Sequence, residues 1–364
     1  MHLLDLTKQA VNLYESGTAV HLKGPPGIGK TDVTSNEFKS ALEAHYNEKF
    51  GFCDLMVPTI DAPDLRGFLI PTKDKEGHPT SFFTRPAVIP SEEYLREFPR
   101  GIMLLDEVGQ ADQLTQKALA PVILSKRFGE HRLPKDWIII SASNRTEDGS
   151  GVGKTLKHLV NRERTLQIQA NIHAWSVWAE ARSVHPMMVA FAKAFPGVVM
   201  VDKVPKEDGP YCTPRSFMSA AKLIARAAGV DDKGEPNMKI PNDGIMIQLV
   251  SGDIGDQAGA ELFAYLKVAD ELPTIDEILA APATCKCPKE LSAAYAAVQM
   301  CVHFAKPDNI DKLWTFAERF PKELQVTTCR SLVERGGGML LNSPKLNDWI
   351  MANKTLINSS SARA

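Results

Sequence analysis

The chain has 364 residues, more than one hydrophobic core usually organises, so two or three packed units are expected. Its 44% hydrophobic and 24% charged residues describe an ordinary globular protein and exclude collagenous and low-complexity classes. A formal charge of -2 argues against a generally basic surface, and so against non-specific nucleic-acid binding by the whole molecule, while leaving room for a local basic channel.

The N-terminal segment carries Asp5, Lys8 and Glu15 inside an amphipathic pattern, unlike a secretory signal or a membrane anchor, and no apolar run approaches the roughly 18 residues of a membrane helix. A cytoplasmic protein is expected. Six cysteines in this length point to free thiols in a reducing compartment. Cys285, Cys287, Cys301 and His303 offer potential zinc ligands, but their C-x-C and C-x-H spacing is unusual for zinc. "ELSAAYAAVQMCVHFAK" reads instead as one buried helix with Cys301 in its core.

In chain order the strand candidates are "AVHLKG" (19–24), "LMVPTID" (55–61), "GIMLLDE" (101–107), "DWIIISASN" (136–144) and "RTLQIQA" (164–170). They alternate with helical segments, the pattern of a parallel sheet covered on both faces. Directly after the first strand, Gly24, Gly29, Lys30 and Thr31 satisfy G-x-x-x-x-G-K-[ST], with Pro25, Pro26, Gly27 and Ile28 between the glycines. Backbone N–H groups of such a loop converge on phosphate oxygens. Lys30 is placed for the β and γ phosphates and Thr31 for Mg²⁺, at the positive end of the following helix. Asp106 and Glu107 emerge at the carboxyl end of a buried strand, where Asp106 can hold Mg²⁺ and Glu107 can polarise an attacking water. Asn144 ends the next strand, where an uncharged amide can orient that water without repelling the phosphate.

A second Gly-Lys-Thr, ending at Thr155, has Asp148 where the pattern demands glycine. It reads as a mobile connection after the third strand of the motif series, with Lys154 free to reach a neighbouring subunit. Arg162 and Arg164 follow, and either an interface role toward a neighbour's γ-phosphate or a surface arginine near a helix end is compatible with the local sequence. "YCTPRSF" opens a helix with Thr213 as N-cap and Pro214 in the first turn. Arg215 there opposes the helix dipole, which hints at a bound anion.

Past residue 170 the segments are helical, with Pro273, Pro282 and Pro288 marking a boundary, and Gly336 to Gly338 separating the last two helices. The expected organisation is an α/β nucleotide-binding domain over 1–170, a helical lid over 171–284 and a C-terminal helical extension over 285–364.

The ordered series Gly24 to Thr31, Asp106-Glu107, Asn144, Arg162 and Arg215 resembles an AAA+ ATPase over about residues 1 to 270. These positions look like its Walker A, Walker B, sensor 1, arginine finger and sensor 2; "LVNR" favours Arg162 over Arg164 as the finger. "DAPDLRGFLIP" through "TRPAVIP", "LSKRFGEHRLPKDW" and "GDIGDQAGAELFAYLKVADELP" resemble the inserted hairpin, the hairpin before the sensor strand and the lid helix of the MoxR branch, including its phage-encoded and CbbQ/NorQ-like relatives. Cys212 just before the sensor-two helix, and the helices after about residue 285, depart from that pattern.

The resemblance implies ATP and Mg²⁺ as cofactors and a ring, commonly a hexamer, with ATP between subunits. It also implies remodelling or activation of a client protein, often with a von Willebrand factor A domain partner. Phe68, Phe82 and Phe83 in the inserted segment can grip polypeptide or form the hairpin's own small core, the latter being preferred. Two alternatives stay open. Lys126, Arg127, His131, Arg132 and Lys135 could track a nucleic-acid backbone in a motor or loader, or nucleotide could merely assemble a regulatory ring.

Overall fold

The computed structural model describes residues 1–148, 162–201, 204–205, 208–231, 234–238, 240–269, 272–340 and 343–354. The second Gly-Lys-Thr run, including Lys154, lies outside them. The chain divides into two compact units, one built on Met1–Ala170 and the other on Asn171–Val201 and Pro205–Ala364.

The first unit is α/β. Its five-stranded sheet is parallel throughout, formed by β1 (Val20–Lys23), β2 (Gly51–Met56), β5 (Gly101–Asp106), β8 (Trp137–Ser143) and β9 (Arg164–Gln167), in the spatial order β2-β5-β8-β1-β9. Two antiparallel hairpins stand apart from it: β3 (Leu69–Lys73) with β4 (Pro79–Phe83), and β6 (Arg127–Phe128) with β7 (His131–Arg132). Strands β5 and β8 are buried along their whole length, as continuous apolar runs in a sheet covered on both faces must be. Alternate residues serve opposite faces. Met103, Leu105, Trp137 and Ile139 pack with Leu119, Val122 and Ile123 of helix Gln113–Ser125. Ile102, Leu104, Ile138 and Ile140 pack instead with Leu6, Phe38 and Leu42 on the other side.

The second strand is displaced from its expected position. It ends at Met56, and Val57–Thr59 form a 3₁₀ turn with Pro58 in its first positions. Proline has no N–H for the ladder, so pairing shifts upstream, where Gly51 to Met56 match Gly101 to Asp106 residue for residue.

The second unit is helical. Helix Pro186–Ala194 is buried from Pro186 to Ala192, and its partners include Phe217, Ile224, Leu262, Tyr265 and Ala296. Lys193 ties several helices together through Glu180 (2.6 Å), Gln299 (2.8 Å) and Ser331 (2.8 Å). Helix Leu291–Phe304 thus shares a core with helices far upstream. Helix Lys322–Leu340 runs straight through Gly336 to Gly338, which do not break it as the sequence suggests. Each glycine costs a helix only about 1 kcal/mol, so a packed helix can absorb them. No helix among the described residues is long and apolar enough to cross a membrane.

Candidate functional site

The glycine loop leaves the carboxyl end of β1. Gly24 donates its N–H to the Ser143 carbonyl at 3.3 Å, and a Cβ on Gly24 would lie 2.5 Å from the Ile168 carbonyl oxygen. Only glycine fits between these two strands. Gly29 has φ 96°, in the left-handed region, and opens helix Lys30–Val33. A π-helical turn, Thr34–Phe38, carries that helix into Lys39–Tyr46.

Lys30 is buried, and its Nζ donates to the Gly24 and Pro25 carbonyls, both at 2.9 Å, and to Asn144 Oδ1 at 3.0 Å. The amide at the end of β8 therefore meets the loop lysine directly. Thr31 Oγ1 donates to Asp106 Oδ2 at 2.5 Å. Asp106 Oδ1 in turn accepts the Glu107 N–H at 2.9 Å. Glu107 has φ 57° and ψ 34°, a left-handed conformation that costs a non-glycine residue on the order of 1–3 kcal/mol. Such strain is found where a side chain must be aimed, and here it turns the chain sharply at the end of β5 and leaves Glu107 partly exposed.

One acid of this rim escapes sequence reasoning. Asp54 lies on β2, two residues before Met56, which pairs with Asp106. Desolvation, and then the charge of Asp106, push the Asp54 carboxyl above its ordinary value. A charged residue inside "FCDLM" was the available cue, but only strand pairing sets it beside Asp106.

Other expected residues stand apart from this convergence. Arg162 is exposed in the turn before β9. Arg164 begins β9 and donates from Nη1 to Ser16 Oγ at 3.0 Å. Arg215 is exposed in the first turn of helix Pro214–Ala228 in the second unit, behind Thr213, whose Oγ1 accepts the Ser216 N–H at 3.1 Å. Asp148 is tied to Arg145 through Nη2 at 2.9 Å.

Cys301 is buried in helix Leu291–Phe304, with Cys285 and Cys287 packed against the same apolar cluster. Among the described residues the group spaced for a metal is Asp74, Glu76 and His78, all exposed. There Asp74 Oδ1 accepts the N–H groups of Glu76 and His78, which shapes the β3–β4 turn.

The β3–β4 hairpin builds no core of its own: Phe68 is 61% exposed, Leu69 57%, Ile70 42% and Phe82 46%. A two-stranded ribbon has no further layer in which to bury them. In the basic segment, Lys126 Nζ donates to the Lys135 carbonyl at 2.5 Å and Arg127 Nε to the Gly129 carbonyl at 2.6 Å. Both cations serve the fold of the β6–β7 hairpin.

Fold and site together define a parallel α/β protein in which a glycine loop, an acid-terminated strand and an amide-terminated strand meet at one rim. No family model and no curated protein matches the chain. Among solved structures it is similar to a RuvB variant of Thermotoga maritima, at 14% identity and a TM-score of 0.39, covering 78% of this chain and 77% of that one. It is also similar to NtrX of Brucella abortus, at 15% identity and a TM-score of 0.34, covering 98% and 67% respectively. An inferred ATPase of Cytophaga hutchinsonii matches at 15% identity and a TM-score of 0.31, over 63% of this chain and 59% of that one, so this chain spans less than two thirds of its length. At such identities and scores, function rests on the site itself.

Proposed function

We propose that this chain is a ring-forming AAA+ ATPase that couples ATP hydrolysis to remodelling or activation of a client protein. The observation that carries the reading is the double contact at the rim, Thr31 on Asp106 and Lys30 on Asn144. With Lys30, Asp106 and Asn144 buried and Thr31 partly so, these four residue types serve a triphosphate better than they serve stability.

In this reading the backbone from Gly24 through Pro25, Pro26, Gly27, Ile28 and Gly29 wraps the phosphates of ATP, and Lys30 exchanges its carbonyl partners for phosphate oxygens. The hydroxyl of Thr31 and the carboxylate of Asp106 are hard oxygen donors suited to Mg²⁺, which supplies charge neutralisation of the phosphates when bound. Glu107 takes a proton from the attacking water, and Asn144 holds that water in line. By the sequence resemblance, Arg162 is the candidate finger toward the γ-phosphate of a neighbouring protomer and Arg215 the candidate sensor 2. The bond from Arg164 to Ser16 supports Arg162 as the finger. Residues 171–284 act as the lid and 285–364 as an extension attached to it.

The MoxR-like assignment, a hexameric ring and a von Willebrand factor A domain partner rest on the sequence resemblance. The exposed apolar hairpin supports a protein client.

A pull-down with Glu107→Gln in the presence of ATP tests the proposal. A captured protein released by nucleotide exchange is the expected result. ATPase activity stimulated by DNA in a salt-sensitive manner, with no protein captured, overturns the client reading in favour of a nucleic-acid motor.

A further inference from the structure

A buried polar chain joins two strands of the sheet, β1 and β8, to the turn before β9, just beneath the site. His21 lies on β1, three residues before Gly24. Its Nδ1 is 2.5 Å from Ser141 Oγ and its Nε2 is 2.9 Å from Ser143 Oγ, both on β8. Ser141 Oγ donates to Glu163 Oε1 at 2.5 Å. The other oxygen of that carboxylate is 3.6 Å from His21 Nδ1, and the two side chains are 7% and 3% exposed. Ser143 directly precedes Asn144, and Glu163 directly follows Arg162.

Donor accounting orders the chain. A neutral imidazole has one N–H and one acceptor nitrogen. While Glu163 is ionised, Ser141 gives its hydrogen to the carboxylate, so it accepts from His21 Nδ1–H, and His21 Nε2 accepts from Ser143. All hydrogens point toward the carboxylate. Each group is satisfied by its neighbours, and removing any of them strands a buried polar atom. Packing alone would be served by valine or leucine here, as it is at Val20 and Leu22 on the same strand.

We infer that this chain fastens the turn bearing Arg162 to the strands that carry the glycine loop and Asn144, so that Glu163 is a positioning residue for Arg162. It rests on the ATPase reading above. The Glu163 side chain is too buried to meet nucleotide, and it acts by fixing where the preceding residue, Arg162, points. The links run from the strand that leads into Asn144 through β1 to the residue beside Arg162.

The test uses the full-length chain. Ser141→Ala, Ser143→Ala and Glu163→Leu each cut the chain, so loss of folding in one leaves the others. They are compared with Arg162→Ala and with the doubles Ser141→Ala/Arg162→Ala and Glu163→Leu/Arg162→Ala. We expect kcat to fall by roughly 10–100-fold, the loss usual when a supporting partner of a site residue is removed, with KM and Kd for ATP unchanged. Each double should be no slower than Arg162→Ala alone. At a pH well above 7, where Glu163 is ionised, ¹⁵N spectra of histidine-labelled protein should show His21 neutral with its proton on Nδ1. Independent, multiplying losses in the doubles overturn the inference, as does full kcat in the cut variants of an enzyme that Arg162→Ala slows, or a proton on Nε2. Absence of ATP turnover in the wild type sinks the ATPase reading first and this inference with it, a result distinct from the others.

Discussion

Thr31 hands its hydroxyl hydrogen to Asp106 across 2.5 Å, joining the loop after β1 to the end of β5 over a separation of 75 residues. A hydroxyl and a carboxylate in contact form a ready pair of oxygen donors at the mouth of a glycine loop. Asp106→Ala should weaken MgATP binding by about tenfold or more, equivalent to about 1.4 kcal/mol. Titration of a fluorescent ATP analogue with Mg²⁺ and with EDTA checks it. The variant should lose the difference between the two conditions, and retention of that difference removes Asp106 from the metal site. Lys30→Ala should weaken binding under both.

Glu107 is held in a left-handed conformation at the end of β5. Glu107→Gln keeps the shape and removes the proposed base, so turnover should drop by roughly 10²–10⁴-fold while ATP binding persists and the proposed ring is trapped. Phosphate release and sedimentation in ATP read the two halves separately. Turnover at the wild-type rate shows that some other group takes the proton.

Gly24 tolerates no side chain, since a Cβ would press on the Ile168 carbonyl at 2.5 Å. Gly24→Ala should destabilise the first unit by about 1–3 kcal/mol and weaken ATP binding as the loop is displaced. Thermal melts with and without nucleotide measure both. An unchanged melt means that β1 and the segment after β9 can separate freely.

Burial pushes the Glu163 carboxyl up from 4.5 to about 7, partly offset by its bond from Ser141. Between those values the folded chain holds a proton that the unfolded chain has released, so this group makes stability fall as pH rises. Burial, then the charges of Lys23 and Lys30, bring His21 down from 6.5 to about 4, which makes stability rise with pH over that lower window. Glu163→Gln removes only the first effect. The melting temperature of the variant minus that of the wild type should therefore increase from about pH 5 to about pH 8. A flat or decreasing difference contradicts a raised carboxyl at this position.

Phe68 and Phe82 are 61% and 46% exposed. Replacing both with serine should change stability by no more than about 0.5 kcal/mol each, as at ordinary surface sites. Loss of client-stimulated ATPase in the double variant, with basal turnover intact, is the expected functional result. Full stimulation would place client contact elsewhere.

Some of this was legible early because local chemistry suffices for it. The runs at Ile102 to Leu105 and Ile138 to Ile140 announced buried parallel strands, and Thr213 with Pro214 announced a helix start. Helix Gly244–Ile254 was not legible, since Ile245 at 73% and Leu249 at 52% exposure put apolar residues on its outer face and blur the period. The hairpin phenylalanines misled for the opposite reason: aromatic residues suggest a core, yet a lone ribbon provides none.

The amino-acid sequence by itself determined the parallel α/β class and the order of the glycine loop, acid pair and asparagine along the chain, because strand periodicity and loop spacing are properties of neighbouring residues. Only the tertiary structure decided that β1 lies between β8 and β9 and that Asp54 sits by Asp106. It alone joined His21 to Ser141 across 120 residues, and thereby to Glu163. Those contacts follow from strand order and register, which local periodicity does not encode.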